Sequence, residues 1–497
     1  MKKSIITVCI ACATLSGCVD LMQEPQSFLT PENIEYSEEN VVSLTNGLYK
    51  TLWWNNWGFN CRPQILGLGA DDLIGGSPQK RHYIADELMI DGTTFNGDTE
   101  TVWQNMYAVI QGCSQLLEGL TVTTDLPEDK KKQYMGEAHF MRAFAYFQLV
   151  RWFGDVPGFT DSKCTADILG NTNITRNKVE DIYNLIIIPD LKVAEEYLPN
   201  RGRTAAKNST ANKWAAKACL ADVYLTMAGW PLKKTENYAL ARDKAKEIID
   251  NGGFSLVAHY EDLWKEATKS DDQEHIFALN HSVTEQASNY GISYMTSEEE
   301  GGWGDYLADA AFYERYPNDE RKAFNYVTVF VKKDGEEVPY QNSAMKSPAV
   351  NKYRDYGTKT SAQSAGITAL YRYADVLLTY AEAQNKADHG PNELAYKCIN
   401  EIRRRAMGGT DNNLATGLNE EAFDQAVFDE RGWEFFAEFK RWFQLIRTEK
   451  VYEANQYNSR VKAALDKTGI TKDNRRVYLM PLPEREQEDC GFEPNPR

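Results

Sequence analysis

Cys18 is the first residue whose setting implies chemistry: it follows Leu15-Ser16-Gly17 at the end of a segment built from Lys2, Lys3 and the apolar run Ile5 to Leu15. As a helix that run reaches about 16 Å, well short of a ~30 Å hydrocarbon core, so it reads as a secretory signal and not a membrane span. The small pair before the thiol resembles a lipobox, in which residues 1–17 are removed and Cys18 becomes the acylated first residue. Cys9 and Cys12 form a C-x-x-C that leaves with the signal, taking its redox or zinc reading with it. Cys61, Cys113, Cys164, Cys219, Cys398 and Cys490 lack metal-ligand spacing and read as buried free thiols or occasional disulfides.

Catalytic arrangements are weak. Gly67-Leu-Gly69-Ala-Asp-Asp72 begins like a dinucleotide fingerprint but carries Asp72 where the third glycine belongs. There is no G-x-S-x-G, H-E-x-x-H or Walker sequence, and the six histidines are too isolated for a metal cluster. Asp71-Asp72 is a nominal carboxylate pair for splitting a glycosidic bond, although adjacent side chains on a strand or helix point apart. The expectation is a protein without catalytic residues, cofactor or metal.

Cutting after residue 17 removes two lysines and no acids, which takes the formal charge from -17 to -19. That balance argues against nucleic acid or an anionic lipid surface as the main partner and is compatible with a neutral ligand. About 480 residues can bury a large core. Ile186-Ile187-Ile188, bracketed by Asp181, Asp190 and Lys192, reads as a buried helix.

The positioning elements announce themselves as a repeat. Leu220-Ala-Asp-Val-Tyr-Leu-Thr-Met-Ala228 matches Tyr373-Ala-Asp-Val-Leu-Leu-Thr-Tyr-Ala381 at six of nine places. Each block lies in a helical run followed by a second helix, Glu236 to Asp250 and Asn392 to Ala406. A weaker copy, Glu137 to Phe153, takes Val179 to Leu198 as its second helix, and Glu39 to Trp53 with Thr99 to Leu120 makes a fourth unit. Helix pairs with small residues where they touch are the signature of tetratricopeptide-like units, and the alanines read as packing. Residues 251–365 lose this period. Ile276 to Leu279 reads as a strand, and Val327 to Lys332 with Glu336 to Tyr340 as a hairpin around Asp334-Gly335, Pro339 placing its second strand at an edge. Phe435, Phe439, Trp442 and Ile446 recur at helical spacing, which predicts one long amphipathic helix with an aromatic core stripe.

Four further segments complete the pattern: Ala138 to Pro157 (AHFMRAFAYFQLVRWFGDVP), Arg372 to Asn385 (RYADVLLTYAEAQN) with Ile399 to Ala406 (INEIRRRA), Glu430 to Arg447 (ERGWEFFAEFKRWFQLIR) and Tyr478 to Pro483 (YLMPLP). With the lipobox, they resemble the SusD/RagB family of nutrient-binding surface lipoproteins. Phe439 stands where a glycine is common and Gln444 where an aspartate is common, and the tail after Pro494 is short. The resemblance implies a mainly α SusD-like fold: four tetratricopeptide-like helix pairs plus a smaller irregular region with short β-strands. It also implies one domain over 18–497, with ligand-binding insertions at about 54–90 and 251–365.

The family motifs are scaffold, so the site must lie in the insertions. Asn289-Tyr290-Gly291-Ile292-Ser293-Tyr294 with Gly301-Gly302-Trp303-Gly304 resembles the loop that supplies binding aromatics in starch-binding members, and its glycines suit an exposed Trp303 on a flexible loop. Trp57, Arg62, Asp72, Lys80, Arg81 and Tyr83 form a second group. An aromatic plane suits the C–H face of a sugar ring, and the hydroxyls need hydrogen-bond partners. The expected function is a lipid-anchored outer-membrane protein, facing outward, that binds a glycan without cleaving it and delivers it to a SusC-like TonB-dependent transporter. A surface protein that binds peptides or another nutrient and a secreted helical glycosidase are the alternatives.

Overall fold

A computed structural model describes residues 35–52, 65–76, 92–122, 126–162, 174–204, 206, 208–270, 273–284, 287–354, 364–457, 462, 465, 466 and 471–496. The signal segment and Cys18 lie outside them. The four expected helix pairs are present: Glu38–Leu52 with Gly92–Val122, Glu128–Phe153 with Ile188–Tyr197, Lys213–Ala228 with Asn237–Asn251, and Tyr373–Ala387 with Glu393–Ala406. Each helix packs on its partner and each pair on the next, so one apolar core runs through the stack. Alanines sit where helices cross, Ala143, Ala215, Ala374 and Ala381 all being fully buried.

Local chemistry sets the ends. Asn212 caps the third pair by accepting from Ala215 N at 2.9 Å, and Asn392 caps the last helix from Ala395 N at 2.8 Å. Ile186 and Ile187 fall in a π-helical turn, Tyr183–Ile187, which joins a short helix Val179–Ile182 to Ile188–Tyr197. Pro189 explains it, having no N–H to return to the carbonyl four residues back and a ring that crowds it.

The strands are β1 (Leu73–Gly75), β2 (His275–His281), β3 (Tyr306–Ala308), β4 (Tyr326–Val327), β5 (Val329–Val331), β6 (Glu337–Pro339), β7 (Ala349–Val350) and β8 (Gly366–Arg372). One sheet has the order β1-β3-β7-β4, β2 pairs with β8, and β5-β6 is the expected hairpin, with Pro339 opposite Val329. The long helix expected through Phe435 to Ile446 is broken: Glu420–Glu434 ends, and Arg441–Arg447 begins after a bend with positive φ at Ala437 and Phe439. Distant groups capture the backbone there. Lys352 Nζ donates to Phe436 O at 2.6 Å, Tyr353 Oη to Ala437 O at 2.7 Å, and Ala437 N donates to Asp72 Oδ2 at 3.2 Å. The left-handed φ at Phe439 accounts for glycine being common at that place.

A buried ionic network joins strands to helices at this bend. Arg372, with no exposed surface, donates to Glu274 Oε1 at 2.9 Å, Glu434 Oε1 at 2.5 Å and Glu438 Oε1 at 2.8 Å. Arg405 also reaches Glu274 and Glu434, Arg321 reaches Glu430 and Glu434, and Lys352 reaches Glu438. Burial alone would raise the Glu438 pKa, but Arg372 and Lys352 outweigh it and hold it down at about 2.

Replacing the central cation should therefore be severe: Arg372→Met is expected to cost about 3–5 kcal/mol in urea unfolding near neutral pH, since the carboxylates stay buried and lose their partner. The penalty should shrink in acid. Glu438 titrates at 4.5 when exposed and about 2 when folded, so its contribution is complete above pH 4.5 and lost as the pH falls towards 2. A gap in melting temperature between wild type and variant that is unchanged down this range contradicts the assignment.

Candidate functional site

The loop singled out in the sequence is held by its backbone. After the short helices Tyr290–Ser293 and Ser297–Glu300, the chain doubles back: Gly302 N donates to Thr296 O at 2.9 Å, Trp303 N to Ile292 O at 2.9 Å, Gly304 N to Met295 O at 2.7 Å and Asp305 N to Ser293 O at 2.8 Å. A Cβ on Gly302 would lie 2.6 Å from Met295 O, so the close approach requires glycine. Arg354 clamps the loop from outside, donating to Glu300 Oε2 at 2.9 Å and Tyr294 O at 3.2 Å. The flexible loop expected from its glycines is instead a closed one.

Its aromatics divide. Tyr290 and Tyr294 have no exposed surface and pack with Tyr353, at ring-centroid distances of 4.4 and 4.9 Å, while Tyr306 adds a ring 5.2 Å from Tyr294. Tyr290 Oη lies 2.7 Å from Thr368 Oγ1. Trp303 is half-buried and sits at the turn. Asp72 is buried as well, accepting from Ala437 N, and burial with Asp71 beside it pushes its pKa up to about 6. Asp71 accepts from Arg441 Nε at 2.7 Å and Nη2 at 3.0 Å, so the two acids are committed to different partners inside the protein.

The fold sets the strand that follows Asp72 against the end of the Trp303 turn. β1 pairs with β3 directly after the Trp303 turn, Gly76 N donates to Asp305 O at 3.2 Å, and a Cβ on Gly76 would meet Gly304 O at 2.7 Å. Gly76, the last described residue of that insertion segment, thus lies against the turn that carries Trp303. Trp57, Arg62, Lys80, Arg81 and Tyr83 lie outside the described residues.

At the other end of β1 lies a groove that sequence reasoning missed, lined by Phe312, Arg315, Phe428, Trp433, Lys450 and Tyr457 among others. Tyr457 is 63% exposed, with the Arg315 guanidinium 4.3 Å from its ring centre. No sequence signal marked it, because Trp433 belongs to a scaffold segment and the groove is assembled from separate helices. Among the described residues, no group of three or more His, Cys, Asp or Glu side chains is placed to hold a metal, and no helix is long and apolar enough to cross a membrane.

Residues 318–489 match the SusD family, and residues 77–225 match a family described as starch-binding and associating with the outer membrane. SusD-like protein P2 of Formosa agariphila is 28% identical, covering 97% of both chains. The crystal structure of a SusD superfamily protein from Parabacteroides distasonis superposes with a TM-score of 0.78 at 27% identity, covering 93% of this chain and 98% of that one. Surface glycan-binding protein A from Bacteroides thetaiotaomicron, solved in complex with laminarihexaose, gives a TM-score of 0.73 at 19% identity over 92% of this chain and 99% of its own.

The division of the loop aromatics is measurable by thermal and urea unfolding. Tyr294→Ala should cost about 3–5 kcal/mol as a core truncation, whereas Trp303→Ala should cost about 1 kcal/mol or less. Equal losses would mean that the Trp303 ring is as much a part of the core as Tyr294.

Proposed function

Since the chain belongs to the SusD/RagB family, we propose that it is an outer-membrane lipoprotein, anchored through Cys18, that binds an oligo- or polysaccharide and hands it uncleaved to a SusC-like TonB-dependent transporter. The observation that supports this best is a half-buried Trp303 on a backbone-held turn beside Gly76 of the first insertion, in a fold whose solved relatives include a laminarihexaose complex. An indole carried on a backbone-held turn offers a sugar ring a platform whose main chain needs no ordering on contact. Lys80, Arg81, Tyr83 and Trp57 are the proposed polar and aromatic neighbours from the first insertion. A lid over a transporter needs only modest affinity, because the ligand must also leave.

Binding measured against a panel of soluble polysaccharides, with peptides as a second panel, tests the ligand class. Trp303→Ala should weaken the best glycan about tenfold, roughly 1.4 kcal/mol, at nearly unchanged melting temperature. Unchanged affinity would move the site to the groove of Trp433 and Tyr457, and binding confined to peptides would overturn the glycan reading. The bound polysaccharide should keep its chain length, and product release abolished by a carboxylate substitution would favour a glycosidase. Cys18→Ala should release the protein from the membrane fraction, since acyl chains contribute about 0.8 kcal/mol per buried CH₂.

A further inference from the structure

The repeated block contains more than packing alanines. Asp222 and Thr226 in one copy, and Asp375 and Thr379 in the other, recur at the same four-residue spacing and so share one face of each helix. Those two faces line a single small cavity, closed on another side by the 431–447 segment.

Its charges do not balance locally. Asp222 accepts from Tyr371 Oη at 3.2 Å and lies 3.6 Å from Arg151, whose guanidinium is stacked 3.9 Å from Phe147 and 4.0 Å from Phe443. Asp375 accepts from Lys440 Nζ at 2.6 Å and Arg372 N at 2.9 Å. Glu438 is taken by Arg372 and Lys352, and Glu382 by a two-pronged contact with Arg447. Each of these acids has its cation. Arg431 has no carboxylate of its own: it is 8% exposed, its Nε and Nη1 are buried without an acceptor, and its nearest carboxylate oxygen, on Glu382, is 4.0 Å away and already held by Arg447. Two guanidiniums share one carboxylate.

We propose that this cavity binds a small organic carboxylate, with Arg431 as its counter-ion. Water could satisfy the N–H groups but would leave the buried charge uncompensated, which is costly at low dielectric. A planar carboxylate fits a guanidinium fork in shape and charge, and Ala221, Ala369, Val376 and Phe443 offer apolar cover for a short carbon chain. The site is separate from the Trp303 turn, so it stands or falls independently of the glycan reading.

The test is a titration of the folded protein with sodium acetate at constant ionic strength, followed by calorimetry and melting temperature. Saturable binding with a rise in melting temperature is expected, weakened at least tenfold in Arg431→Gln. Ala369→Leu, which adds bulk to the cavity wall and leaves the guanidinium in the sequence, should weaken it likewise, and a wild-type crystal structure in acetate should place the carboxylate within hydrogen-bond distance of Arg431. The crystal result needs no variant to fold. Absence of saturable binding, binding unchanged in folded variants, acetate located elsewhere, or sulfate binding in its place would each overturn the proposal.

Discussion

A guanidinium removed from water dictates how the helical stack meets the strands. Arg372 closes β8 and precedes the first helix of the fourth pair, and its partners Glu274, Glu434 and Glu438 come from the start of β2 and from the bend after Glu420–Glu434. Buried charges tolerate no vacancy, so each contact is a condition on the others. A slip of β8 against β2 would move Arg372 away from Glu274, and straightening the bend would carry Glu438 out of reach. The network thus specifies one arrangement among several that the apolar surfaces alone would accept.

The helix pairs were legible because their information is local: periodic apolar positions, alanines at crossings and asparagine caps lie within each segment. The bend at Ala437 to Phe439 was not, because what stops the helix is Lys352, Tyr353 and Asp72, each far away in sequence. Periodicity ran straight through it. Phe439 was the one local sign, an aromatic where glycine is common, and its positive φ gives the reason.

The candidate site was half legible for the same reason. Glycines around aromatics do mark a turn, and the turn is there. Which ring it presents depends on Tyr306 and Tyr353, which enclose Tyr294 from other elements, and no spacing within 289–304 encodes their arrival. Asp72 reads as a polar loop residue until Ala437 is brought against it. The Asp and Thr of the repeat were visible as identities, yet only the stacked geometry sets them around one cavity.

The Trp303 turn is secured by main-chain bonds and by glycines on either side. Position 303 is accordingly a socket. The main-chain bonds that shape it do not depend on which side chain stands there, so the range of molecules this surface accepts can drift by single exchanges while the turn is inherited intact.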